Sequence, residues 1–260
     1  MLFACQGGPA NISDTLAATL APLQASHTIV YHDYRGSGRS AAAPADTYTF
    51  ERLADDLDEL RVHLGYGTVP VLAHSMGGFI ALNYAIRHPR ECAALVLVGT
   101  TPTGDARKLG GPALRALGPA RVAKVAVRAL WYLLAWSWRP ESVARQSARY
   151  AIMATTQEGV PAVRARVKEA MRGLPAPNDN VAHLERLFVC TDLTDRLAGI
   201  DCPVLVLYGD RDAVMAGGGA LLREGLPRSS CVVLPHVGHE PFLEAPELAF
   251  PPVEQFLAGL

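Results

Sequence analysis

Val69-Pro70-Val71-Leu72-Ala73-His74-Ser75-Met76-Gly77-Gly78 is the stretch on which the reading of this sequence turns. A short apolar run leads into a serine set among small residues. Phe79-Ile80-Ala81-Leu82-Asn83-Tyr84-Ala85-Ile86 then continues as a largely buried helix that stops before Pro89. A serine at a sharp strand-to-helix turn is the pattern of a nucleophile elbow. Such a turn strains the serine backbone, so its neighbours must lack bulk. It lifts the hydroxyl off the end of the sheet and aims the next backbone N–H, that of Met76, at the same place. One position departs from the usual pattern, with Ala73 where glycine is customary.

An elbow needs a base and an acid, and both stand late in the chain. Cys202-Pro203-Val204-Leu205-Val206-Leu207-Tyr208 reads as a buried parallel strand and ends in Gly209-Asp210-Arg211-Asp212. Cys231-Val232-Val233-Leu234 is a further strand, followed by Pro235-His236-Val237-Gly238-His239-Glu240. Serine, acid and histidine all follow strand ends, and in a parallel sheet those ends share one crevice. The chemistry asks for these residue types. A serine hydroxyl is a poor nucleophile at neutral pH, and an imidazole can take its proton and later return it to a leaving group. A carboxylate on the far imidazole nitrogen fixes the tautomer and stabilises the imidazolium. Ser75 as nucleophile, His239 as base and Asp212 as orienting acid are the expected set. Asp210 is expected as a turn residue, His236 as a decoy, and His74 as pointing away from the site because adjacent side chains diverge.

Four segments resemble the α/β-hydrolase superfamily, in the branch that includes proline iminopeptidases, small esterases and cofactor-free haloperoxidases. Besides the elbow, Gly209-Asp210-Arg211-Asp212 is similar to the family's Gly-x-x-Asp, which selects Asp212 over Asp210. Gly238-His239 with Glu244-Ala245-Pro246 is similar to its Gly-His and Glu-x-Pro ending, which selects His239 over His236. Asp33-Tyr34-Arg35-Gly36-Ser37-Gly38-Arg39-Ser40 is similar to its Asp-x-Arg-Gly-x-Gly-x-Ser loop. The Ser, Asp, His chain order agrees. Gln6-Gly7-Gly8-Pro9-Ala10, after the apolar run Leu2-Phe3-Ala4-Cys5, resembles the family's His-Gly-Gly-Pro-Gly, with Gln6 for His and Ala10 for Gly. The resemblance implies an oxyanion hole formed by the backbone N–H groups of Gly8 and Met76, donors aimed where charge develops during acyl transfer. It also implies an antiparallel strand pair of about two dozen residues ahead of this segment. Met1 falls almost on the first apolar run, so either the start lies upstream or the first two strands are missing. Without them the Thr28–Tyr31 strand would sit at a sheet edge, which a dimer or a covering segment would relieve.

Composition and organisation are in keeping with this. The chain of 260 residues is half hydrophobic with a formal net charge of −1, which suits one α/β domain with an insertion. No basic face with interleaved aromatics suggests nucleic acid. The five cysteines are scattered, and Cys5, Cys202 and Cys231 lie in apolar strand segments, as buried thiols rather than disulfides or zinc ligands. No metal and no cofactor are expected, and no signal-peptide pattern is seen, so the default compartment is the cytoplasm. Leu53, Leu57, Leu60 and Leu64 recur at helical spacing opposite Asp55, Asp56, Asp58 and Glu59, and Gly65 ends the pattern. Strand and helix alternate in this way over 1–100, which points to a parallel sheet covered on both faces.

From 101 to 195 the alternation stops. This stretch reads as a helical cap inserted into a core formed by 1–100 and 196–260. Lys124–Trp138 is its most apolar piece, too short and too charged for a membrane span. Trp131, Tyr132, Trp136 and Trp138 are candidates to line an apolar substrate pocket, alongside the plainer reading of a cap helix packed on the core. The expected activity is hydrolysis of a small, largely apolar ester, lactone, thioester or amide by a monomer or homodimer. A proline iminopeptidase would need cap carboxylates for a free amino terminus, and Glu141, Glu158, Glu169 and Glu185 are available. A lyase or transferase reusing the same three residues, or a silent binding protein, are the other readings.

Overall fold

The computed structural model describes residues 1–8, 13–105, 181–212, 214–215 and 217–260, with isolated positions between 107 and 127. Trp131, Tyr132, Trp136 and Trp138 lie outside the described residues, as do Pro9, Ala10 and all of Lys124–Trp138 except Val127. Six strands form one sheet: β1 (Leu2–Cys5), β2 (Ile29–Tyr31), β3 (Val69–His74), β4 (Cys92–Val98), β5 (Val204–Gly209) and β6 (Ser229–Leu234). Their order is β2-β1-β3-β4-β5-β6, and every pairing is parallel. The chain steps from β1 to β2 in one direction and then to β3 on the other side of β1. This makes the carboxyl ends of β1 and β3 the switch point at which open parallel sheets form a crevice. The register brings Cys5 opposite Ala73, His74 opposite Val98, and Gly209 opposite Leu234, so the loops that follow open on one edge.

Strand alternation builds two cores. Leu95, Leu97, Val204 and Val206 face helices α2 (Phe50–His63), α3 (Gly77–Arg87) and α5 (Gly218–Gly225). Val96, Val98, Leu205 and Leu207 face α1 (Ser13–Thr19) and, near the carboxyl terminus, α6 (Pro241–Glu244) and α7 (Pro246–Ala258). Side chains of successive strand residues point to opposite faces, so an apolar run without polar interruption is what two covered faces require. Among the described strands β2 is an edge, as expected for Thr28–Tyr31, and its three residues are half-buried.

Helix α2 follows its sequence pattern with one change. Thr49 caps it by accepting the Arg52 N–H at 3.1 Å, and Leu53 and Leu57 are buried. Leu64 is 42% exposed, because the helix has ended and Gly65 turns the chain with φ +76°. Much of the acidic face is not simply solvated. Asp55 bonds Arg87 at 2.7 Å and His88 at 2.9 Å, Asp56 pairs with Arg35 and Arg52, and Asp58 bonds Arg61 at 2.8 Å. Half-exposed pairs of this kind contribute about 0–1 kcal/mol each, so they orient α2 more than they hold it. Its attachment rests on Leu53, Leu57 and the stack of Phe50 on Phe79, ring centroids 5.0 Å apart.

The stretch expected as a cap is described at its two ends, which meet. Thr103 bridges Asp192 antiparallel, Gly104 N–H donates to the Thr191 carbonyl at 3.0 Å, and Leu193 N–H donates to that of Pro102 at 2.9 Å. Helix α4 (Val181–Cys190) lays Leu184 into the core and sets Phe188 edge-on to Phe79, 5.2 Å between centroids. The described ends therefore meet beside the start of α3. All five cysteines are free. Cys5 is buried, but Cys202 and Cys231 are only half-buried, because one precedes β5 and the other lies on the edge strand β6. Among the described residues no helix is long and apolar enough to cross a membrane.

Candidate active site

Ser75 stands between β3 and α3 with φ +53°, in the left-handed region that a side chain rarely adopts. A conformation of this kind costs about 1–3 kcal/mol and persists only where its surroundings over-determine it. Here they do. Ser75 N–H donates to the Val98 carbonyl at 2.9 Å, while the Ser75 carbonyl accepts Gly78 N–H at 3.0 Å and the Thr100 hydroxyl at 2.6 Å. The small residues of the motif are required by close approach. A Cβ on Gly77 would come 2.5 Å from the Cys5 carbonyl oxygen, and one on Gly78 would come 2.1 Å from Thr100 Oγ1. Ala73, in place of the usual glycine, is wholly buried on the α2/α3 side of the sheet.

The structure puts His239 against this serine. Its Nε2 lies 2.9 Å from Ser75 Oγ and its Nδ1 lies 2.9 Å from Asp212 Oδ2, with all three side chains buried. Asp212 Oδ1 also accepts the backbone N–H groups of Val214 at 2.8 Å and Met215 at 2.9 Å, which fixes the carboxylate plane. Burial pushes the Asp212 carboxyl up, but the facing imidazolium charge and these hydrogen bonds outweigh it, so its pKa falls below 3.8. Burial pushes the His239 imidazole down, and the Asp212 charge and hydrogen bond, helped by Glu240 and Glu244, more than reverse this, so its pKa rises above 6.5. Asp210 and His236 are not part of this group. Asp210 Oδ1 accepts the His236 N–H at 2.7 Å, and the His236 ring is exposed beside Arg211.

The candidate oxyanion donors are the backbone N–H groups of Gly8 and Met76. Gly8 has φ +65°, and a Cβ on Gly7 would touch Ser75 Cβ at 2.7 Å, so the loop after β1 runs directly over the serine. Neither Gly8 N–H nor Met76 N–H finds an acceptor among the described residues. Tyr34 supports this loop by donating its hydroxyl to the Gln6 carbonyl at 2.8 Å. The Gln6 amide itself is buried, with no hydrogen-bond partner among the described residues. Asp33 orders the neighbouring loop, accepting Ser13 N–H at 2.7 Å and Arg39 N–H at 2.9 Å, while Arg35 pairs with Asp56.

Two residues that position this site carry no local signature. Thr100 and Tyr34 act through carbonyls far away in sequence. Glu244 accepts Gly238 N–H at 3.0 Å and Glu240 N–H at 3.1 Å, and so clamps the loop on both sides of His239. His74 does not simply turn away from the site: its Nε2 lies 3.0 Å from the His239 carbonyl oxygen. Among the described residues, His74, His239 and Glu240 offer ligand atoms within 4.8 Å of one another. Both ring nitrogens of His239 are already engaged by Ser75 and Asp212, which makes it a poor metal ligand.

A strained serine at the switch point of a parallel sheet, within hydrogen-bond reach of an imidazole that a carboxylate orients, can give its proton to that imidazole. This fold and this geometry define the α/β enzymes built around an elbow residue. Residues 2–246 match the family described as alpha/beta hydrolase fold, and the chain belongs to it. It is 26% identical over 269 aligned positions to the RutD protein of Caulobacter sp. (strain K31), provisionally named a carbamate hydrolase, covering 97% of this chain and 94% of that one. It is 28% identical over 215 positions to a non-heme haloperoxidase of Rhodococcus erythropolis, covering 80% and 73% of the two chains. A thermophilic esterase from Thermogutta terrifontis superposes with a TM-score of 0.75 at 26% identity, over 99% of this chain and 89% of that one.

Proposed function

We propose that this protein is a serine hydrolase that cleaves a small, largely apolar ester, lactone, thioester or amide through an acyl-enzyme. The observation that carries the reading is the continuous line from Ser75 Oγ to His239 Nε2, and from His239 Nδ1 to Asp212, each 2.9 Å, behind a left-handed serine. In the first half-reaction Ser75 Oγ attacks the substrate carbonyl carbon while its proton passes to His239 Nε2. Asp212 stabilises the imidazolium that results. The backbone N–H groups of Gly8 and Met76 receive the developing oxyanion. The imidazolium then protonates the leaving group. In the second half-reaction a water, deprotonated by His239, releases the acid and restores the serine.

Residues 101–195 are assigned as the cap, because its ends meet beside α3, next to the elbow. Trp131, Tyr132, Trp136 and Trp138 are assigned to its substrate-facing lining on composition alone. The names of the relatives, an esterase and a carbamate hydrolase among them, support hydrolysis of a carbonyl substrate. The test is a panel of chromogenic esters of increasing acyl length beside a proline arylamide. Turnover of short to medium acyl esters is expected. Turnover of the arylamide alone would replace the reading with an iminopeptidase, and turnover of none would point to an elimination or a binding role.

A further inference from the structure

The base in this site has to be held at two levels. Its ring is fixed by Asp212 and Ser75, but the loop that carries the ring also needs a fixed height above the sheet. Glu244 clamps the N–H groups on either side of His239 and leaves the His239 carbonyl to another partner. That partner is His74. As the last residue of β3, it follows Leu72 and Ala73, which lie on opposite faces of the sheet. Alternation sends the His74 ring to the Leu72 face, where the loop after β6 packs.

There the ring is confined. A Cβ on Gly7 would come 2.8 Å from His74 Nδ1, the ring lies 5.1 Å from that of His239, and the side chain is 9% exposed. Its Nε2 is 3.0 Å from the His239 carbonyl oxygen and 3.7 Å from Glu240 Oε2, so the hydrogen bond goes to the carbonyl. A carbonyl only accepts, and Nε2 must therefore carry the proton. The residue directly before the serine thus grips the backbone of the residue that is to deprotonate that serine. One strand end sets the positions of both reacting groups.

We propose that His74 is a positioning residue, whose Nε2–H holds the His239 carbonyl and so sets the distance between the His239 ring and Ser75. This rests on the serine hydrolase reading. Loss of the donor lets the loop drift, and a displacement near 1 Å in such a pair costs up to about 100-fold. The comparison is between His74→Phe, which keeps a ring and loses the donor, and His74→Gln, whose amide nitrogen can reach the same carbonyl. His74→Leu serves where phenylalanine prevents folding. The rate of labelling by a fluorophosphonate is expected to fall about 10–100-fold in His74→Phe and to stay within about threefold of the parent in His74→Gln. With an ester, the loss is expected in kcat and not in KM. Parent-like labelling of His74→Phe would overturn the proposal, as would a His74→Gln variant as slow as His74→Phe at an unchanged melting temperature.

A second readout does not depend on turnover. The proton on His239 Nδ1, shared with Asp212, gives a downfield imidazole resonance in the parent and is expected to persist in His74→Gln and to shift or broaden in His74→Phe. Where the parent itself fails to label, the hydrolase reading falls and this resonance alone decides the positioning role. A resonance unchanged in His74→Phe contradicts it.

Discussion

The elbow and the histidine loop face each other across the site and are built in opposite ways. Ser75 is held by the backbone: its N–H and carbonyl bond Val98 and Gly78, and Gly77 is pressed against the Cys5 carbonyl. The Thr100 hydroxyl adds one side-chain bond, to the same carbonyl. His239 is held by side chains: Glu244 on its neighbours' N–H groups, His74 at its carbonyl and Asp212 on its ring. A backbone-built element tolerates few residues and moves only with the sheet. A side-chain-built loop can be loosened by one substitution while the fold remains. Damage to the elbow should therefore show in stability, and damage to the loop in turnover.

The strongest way to sharpen that contrast is at the acid. Asp212→Asn should lower kcat by about 10³–10⁴-fold in steady-state ester hydrolysis with the melting temperature little changed. Asp210→Asn, at the carboxylate that accepts the His236 N–H, should stay within a few-fold. On the elbow side, Gly77→Ala drives a Cβ into the Cys5 carbonyl and should cost about 1–3 kcal/mol in denaturant unfolding. A Gly77→Ala variant as stable as the parent would break the comparison. Glu244→Gln keeps one accepting oxygen and loses the charge, and should lower kcat about tenfold at an unchanged unfolding midpoint.

The smallest effect is in the pH profile. The proposed reaction needs neutral His239, whose pKa is raised above 6.5 chiefly by Asp212 against the opposing pull of burial. The rate constant kcat/KM should fall as pH drops through a midpoint above 6.5, and Asp212→Asn should move that midpoint down because it removes the carboxylate. A midpoint that stays put in Asp212→Asn would take the ion pair out of the account.

What could be read from residues alone follows the same division. The elbow was legible because its constraints are local: strand, serine, two glycines and helix are consecutive. The sheet was legible because β3, β4 and β5 are apolar on both faces. Asp212 and His239 were reachable because strand ends converge in a parallel sheet, which turns chain order into proximity. Glu244 stands in the Glu-x-Pro ending beside the histidine loop, whereas Thr100 and His74 are harder to read, since each works through a main-chain group and any polar side chain of suitable reach would read the same. His74 meets its partner 165 residues away, and alternation along the strand points it off the serine without pointing it out of the site. Leu64 departs from the pattern for a simpler reason, because helical periodicity carries no information about the turn at which the helix ends.

The central claim is that Ser75 is the attacking atom and that His239 activates it. Incubation with a fluorophosphonate followed by peptide mass spectrometry tests it most directly. A single adduct on the peptide containing Ser75, absent in Ser75→Ala and formed far more slowly in His239→Ala, is the predicted result. An adduct on another residue, or none on a folded protein, would contradict it.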